Sequence, residues 1–309
     1  MRIVSLLASA TEIVCELGLE DALVGISHEC DHPSRVLDRP RVSRPRFDPE
    51  GMESGEIDRA VRGAMAEHGS VYEIDGDRLE ALAPDLVLTQ AVCEVCAVPT
   101  SGVRELAADR GLDAEVVSLD AHTLEEILDS VVQVGRAAGV GERARGRRAE
   151  LGGRLEAVRE AVAGASRPRV LALEWLDPPF APGHWVPEMV EAAGAEDLVG
   201  RPGERSREMA WEELEGLDPD ALAVMPCGFG VEEAREDADR HAPRLRRVAP
   251  RALEEGRAWV VDASSYFNRS GPRVVDGVEI LAGLLHPDRL PAPPEETARP
   301  WHPEAAAAG

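Results

Sequence analysis

The chain contains no lysine: its positive side chains are all arginine, 34 of them against 58 acids, for a formal net charge of −24. That absence removes Schiff-base chemistry on lysine and the phosphate-gripping lysine of a P-loop. The acid excess argues against a nucleic-acid partner, because phosphate binding needs a concentrated positive surface. No apolar run approaches the roughly 18–20 residues that span a bilayer, so no membrane insertion is expected. The patterns G-x-S-x-G and H-E-x-x-H are missing and no nucleophile–base arrangement is evident, so an enzyme is not expected. Aromatics are scarce, with five Trp, two Tyr and four Phe in 309 residues, and cysteines number five.

At this length two domains are the natural expectation. Residues 86–96 (LVLTQAVCEVC) read as a buried strand running into a polar loop, and residues 221–227 (ALAVMPC) have the same form. Residues 77–85 (DRLEALAPD) precede the first and residues 212–220 (EELEGLDPD) the second: an acid, a leucine-rich helical turn, then Pro-Asp. A second internal match relates residues 12–25 (EIVCELGLEDALVG) to residues 188–200 (EMVEAAGAEDLVG). Two independent matches point to one structural unit used twice. Strands are expected at 2–7, 22–26, 86–88, 115–118, 169–173, 221–227 and 258–261, with helices at 11–19, 56–67, 101–110, 123–138, 187–193 and 274–285. This alternation makes βα units and mainly parallel sheets. Residues 141–163, rich in Arg, Glu, Ala and Leu, read as a long, largely exposed connecting helix. The expected fold is α/β: two similar Rossmann-like lobes with mainly parallel sheets, joined by one long helix, with a ligand cleft between them. The expected boundaries are 1–139 and 166–287 for the lobes, 140–165 for the helix and 288–309 for a Pro/Ala-rich, frayed tail.

In open parallel α/β sheets ligands sit beyond the carboxyl ends of the strands. Cys30 in the loop SHECDHP, Cys93 and Cys96 in a C-x-x-C, and Cys227 all fall there. One reading is a thiolate site for zinc or an iron–sulfur cluster, with His28 or His32 as a further donor. The others are small loop residues lining the cleft, or direct contact with a ligand. A thioredoxin-type role is disfavoured, since Glu94 would oppose a thiolate. Cys15, among Ile13, Val14 and Leu17, reads as a buried helix residue. Six aromatics gather in loops of the second half: Trp175, Phe180, Trp185, Phe229, Tyr266 and Phe267. They read as a pocket wall, with Glu174, Asp177, His184 and Arg269 as its polar groups, or else as a satellite core. The N-terminus MRIVSLLASATE reads as a strand entering a helix rather than a signal peptide. A cytoplasmic location is therefore expected, or a periplasmic or extracellular one if a leader lies upstream.

RIVSLLASATEIVCELG, the two Pro-Asp-strand units and the connecting helix resemble the periplasmic binding protein family for vitamin B12 and iron–siderophore complexes, over about residues 2–287. SHECDHP, TQAVCEVCAV, EWLDPPFAPGHWVPEM, MPCGF and YFNRSGPRVVDGVEIL are similar to its cobalamin-binding protein branch. The resemblance implies a monomeric substrate-binding component of an ABC importer, with cobalamin or a related metal chelate between the lobes. It also implies a permease partner docked through one acid on each lobe, matched here by Asp77 and Glu212. A cytosolic metalloprotein with a Cys-ligated zinc or iron–sulfur site is the other reading.

Overall fold

A computed structural model describes residues 1–91 and 100–303, so Cys93 and Cys96 lie outside the described residues. In the first lobe β1 (Ile3–Ser5) runs parallel to β2 (Leu23–Gly25) on one side and to β5 (Leu86–Thr89) on the other, and β6 (Glu115–Ser118) pairs with β5. Two short strands, β3 (Ser43–Pro45) and β4 (Tyr72–Ile74), form a separate antiparallel pair. The second lobe repeats the order. β7 (Arg169–Leu173) lies between β10 (Glu196–Asp197) and β12 (Ala221–Val224), and β13 (Ala258–Val261) follows β12, all parallel. Beside it β8 (Trp175–Leu176), β9 (Pro179–Ala181) and β11 (Arg207–Glu208) make a small antiparallel sheet. The apolar runs at 86–89, 221–224 and 258–261 are buried throughout, which is why they carry no polar alternation.

The duplication is visible atom by atom. Asp85 accepts the Arg2 backbone N–H at 2.7 Å, and Asp220 accepts that of Arg169 at 2.7 Å. Each Pro-Asp aspartate thus caps the neighbouring strand of its own lobe. The residue before each proline, Ala83 and Asp218, takes a left-handed backbone with φ of 41° and 48°, uncommon without glycine. The helices Ala8–Glu16 and Val186–Ala192 end alike, at Gly18 and Gly194 with φ of 63° and 83°. Only a residue without Cβ enters that conformation at no steric cost.

The helix Gly141–Val162 joins the lobes and buries Ala144, Leu151, Leu155, Val158 and Val162. It packs against the helices Leu124–Ala137 and Val274–Leu285. Gly135 marks the closest approach, where any Cβ would overlap that of Ala144. One apolar core runs from Ile3 and Ile13 through Leu151 and Leu155 to Val278 and Leu281, so the lobes share a continuous interior on the side of this helix.

Two expectations are corrected. Residues 174–185, read as a loop, contain the β8–β9 hairpin, because Trp175 pairs with Phe180 across a tight turn. The stretch after His286, expected to fray, adds strand β14 (Ala298–Pro300) antiparallel to β13. Trp301 is buried behind it and its indole N–H donates to Asp239 at 2.8 Å. The high proline content concealed this, yet proline is tolerated at a sheet edge, where no ladder donor is missed.

Candidate functional site

The carboxyl ends of both sheets carry the chemistry-bearing loops, and they meet between the lobes. From the first lobe come His28 and Glu29, after β2, and Tyr72 on β4. The His28 ring lies 4.6 Å from the Tyr72 ring, its Nδ1 is 2.8 Å from Ser43 Oγ and its Nε2 is 3.1 Å from Glu29 Oε1. From the second lobe come Trp175 and Phe229, ring centroids 5.2 Å apart and tilted by 55°, and Cys227 just after β12. Cys227 is exposed to solvent. Burial pushes its thiol up to about 12, with Glu174 and Glu29 adding to the shift and Arg269 opposing it. Burial also raises Tyr72, and Glu29 and Cys227 add to that. First-lobe Tyr72 and Glu29 and second-lobe Cys227 are thus near enough to shift one another's titration.

The metal expectation gains no support from the geometry. Cys30 is buried within its own lobe, its sulfur 3.1 Å from Thr11 Oγ1 and 3.6 Å from Ser27 Oγ. Among the described residues no group of three His, Cys, Asp or Glu side chains is placed to hold a metal ion. Cys15 is buried in its helix, as expected, and its thiol is pushed up to about 11 by burial.

The aromatic wall is only partly a wall. Trp185 is buried and donates to the Phe267 carbonyl at 2.7 Å, and Phe267 is wholly enclosed, so these two belong to the core. Tyr266 is half-buried beneath the Arg273 guanidinium, 5.5 Å from its ring centre. Trp175, Phe229 and Phe180 remain partly exposed. Glu174 is buried and accepts from Ser206 Oγ at 2.5 Å, and burial lifts its carboxyl to about 7. His184 packs against the rings of Trp185 and His122, each 5.7 Å away, and burial lowers its pKa. Asp177 faces the amino end of the helix Ser54–His68.

Arg269, named among the candidate ligand contacts, reaches the other lobe. It donates to Asp31 at 2.5 and 2.8 Å. Arg273 beside it grips Glu12 at 2.6 and 3.0 Å. Sequence reasoning missed Glu12, Asp31 and Arg273, and missed Tyr72 and Glu29 in the cleft. The one signal for Glu12 was an acid on the apolar face of ATEIVCELG. Asp77 and Glu212 are both exposed in the first turns of the short helices Gly76–Leu82 and Trp211–Leu214, ahead of β5 and β12. Asp77 receives Arg110 at 2.5 Å.

A separate open groove of about 790 Å³ lies beside β6, lined by Glu115, Val117, Asp129 and Gln133 among others. It runs between β6 and the helix Leu124–Ala137 of the first lobe alone, and has no aromatic wall. The cleft is therefore the better candidate.

A family model described as "Periplasmic binding protein" matches residues 3–249. The chain is 25% identical over 288 residues to a vitamin B12-binding protein of Vibrio cholerae, covering 92% of this chain and 88% of that one. It superposes on the periplasmic vitamin B12 binding protein of Vibrio cholerae with a TM-score of 0.67 at 22% identity, covering 92% and 96% of the two chains. A periplasmic heme binding protein from Pseudomonas aeruginosa gives a TM-score of 0.68 at 23% identity, covering 96% of each.

Proposed function

This chain belongs to the periplasmic binding protein family, and from that premise we propose that it is the substrate-binding component of an ABC importer, holding one corrinoid or related metal chelate between its lobes. The observation that carries this reading is a set of partly exposed aromatic rings, one of them from the opposite lobe. Phe229 and Tyr72 pack against the cores of their own lobes, yet with Trp175 they stay partly exposed, suited to the faces and edges of a large planar macrocycle. His28, Glu29 and Cys227 supply polar contacts around it. No catalytic step is required of any of these groups. The names of the relatives support a chelate ligand and work outside the cytoplasmic membrane, and nothing in them favours the cytosolic metalloprotein. Among the described residues no helix is long and apolar enough to cross a membrane.

Asp77 and Glu212 are the proposed contacts for the permease, one on each lobe in equivalent positions. Two sets of variants separate the roles. Trp175→Ala is expected to weaken binding of hydroxocobalamin about 30-fold or more, the loss typical of truncating a central aromatic anchor, as read by fluorescence titration. Charge reversal of Asp77 and Glu212 is expected to leave that affinity unchanged while abolishing capture of the permease in detergent. Unchanged affinity in Trp175→Ala would move the ligand out of the cleft.

A further inference from the structure

The helix Ser54–His68 departs from the two-lobe plan. It is inserted between β3 and β4, has no counterpart in the second lobe, and contributes no side chain to the apolar cores formed by the described residues. Its buried residues are Ser54 and Gly55, at its amino end. What buries them is the other lobe. Ser54 Oγ donates to Asp237 Oδ1 at 2.8 Å, and Asp237 is fully buried at the heart of the helix Val231–Arg240. Asp237 Oδ2 has no protein partner, and Oδ1 has Ser54 as its near donor, with His241 Nδ1 and Arg240 farther off at 3.5 and 3.9 Å. The backbone of Gly55 lies against the Asp177 carboxylate so closely that a Cβ would collide with it. Farther out, Arg62 reaches Glu208 of β11 at 2.8 Å, and Glu53 lies 3.9 Å from Arg240.

We propose that this helix is a releasable latch that fastens the first lobe to the second across the cleft. On the side of the long helix the lobes share an apolar core, which does not separate in small steps. The latch is made of polar contacts that water can replace one by one, so opening is confined to this side. The chelate reading above makes the latch a gate for ligand, but the latch itself is tested on the protein with no chelate added, so the two ideas fail separately.

The test is peptide-level hydrogen exchange on the full chain. Ser54 lies inside the helix, after the capping box formed by Glu53 and Glu56, so Ser54→Ala leaves the helix its own cap. Stripping a buried acceptor of its donor is expected to speed exchange about 5- to 100-fold, in peptides from both 54–68 and 231–240, with the shared core unchanged. Gly55→Ala is the second variant. In a helix fastened to nothing, alanine would hold or slow exchange through its higher helix propensity. In a latch it speeds exchange in the same two peptides by displacing Asp177. Unchanged exchange in both variants, or acceleration confined to 54–68, would overturn the latch.

Discussion

Replacing Arg273 by Leu is expected to destabilise the protein by about 3–5 kcal/mol, more than any other single change at the lobe interface, because it strands a buried charge. Glu12 has a side-chain exposure of 3%, and Arg273 at 15% is its principal partner. Burial already raises the Glu12 carboxyl despite the hydrogen bond and charge of Arg273. Without that guanidinium the carboxylate has no water and only Arg269, 3.7 Å away and hydrogen-bonded to Asp31, as counter-charge. Arg269→Leu is expected to cost much less. Its partner Asp31 is 53% exposed and can turn to solvent. Burial would raise Asp31, but Arg269 and Arg273 outweigh it and hold the carboxyl below its ordinary value. Urea midpoints of the two single variants test the contrast. The pair Glu12→Leu with Arg273→Leu should recover most of the loss, since removing both partners leaves nothing unpaired. Equal costs for Arg269 and Arg273 would show that Glu12 is not the buried charge at issue.

Melting temperature is expected to rise by about 5–10 °C from pH 8 to pH 5. Glu174 is lifted from 4.5 to about 7 and Asp197 from 3.8 to about 6, in both cases chiefly by burial. For such acids the folded state holds its proton more tightly than the unfolded chain. Stability is then highest below about pH 4–5 and falls as pH rises through the folded values, by up to about 3 kcal/mol for each group. Asp197 Oδ2 lacks a protein partner, which keeps its charged form disfavoured. Two effects oppose the trend. Burial lowers His184, which must charge on acidification, but that ring is only half-buried. Asp31 and Asp220 are held low by Arg partners and backbone donors, and their contribution is lost only below about pH 4. Glu174→Gln is the diagnostic variant: it should be more stable than the parent at pH 8, nearly equal at pH 5, and visibly flatter between. A parent protein that melts higher at pH 8 than at pH 5 would contradict the burial argument.

Much of the scaffold was legible because the signals were local. β6, β7, β13 and the helix Val274–Leu285 sit where apolar runs and caps place them. The helix Leu124–Ala137 starts at the Thr123 capping box that its sequence announces. The internal repeat foretold even the matched aspartates at 85 and 220. What was illegible depends on partners distant in sequence. Nothing near Trp185 or Phe267 says that they bond each other rather than face a cavity. The tie from Arg269 to Asp31, 238 residues away, has no local signal. Ser54 and Gly55 are ordinary helix-start residues until Asp237 is seen to take the first and Asp177 to lie against the second. Strand β14 was hidden because its pairing comes from β13, not from its own proline-rich composition.

The central claim, one chelate held between the lobes, is tested most directly by loading. The purified full chain is mixed with excess hydroxocobalamin, in parallel with hemin, then desalted and its absorbance read against protein concentration. The expected result is one corrinoid retained per chain, lost in Trp175→Ala. Retention of neither chelate at micromolar protein would contradict the account, leaving the family's fold with a different cargo.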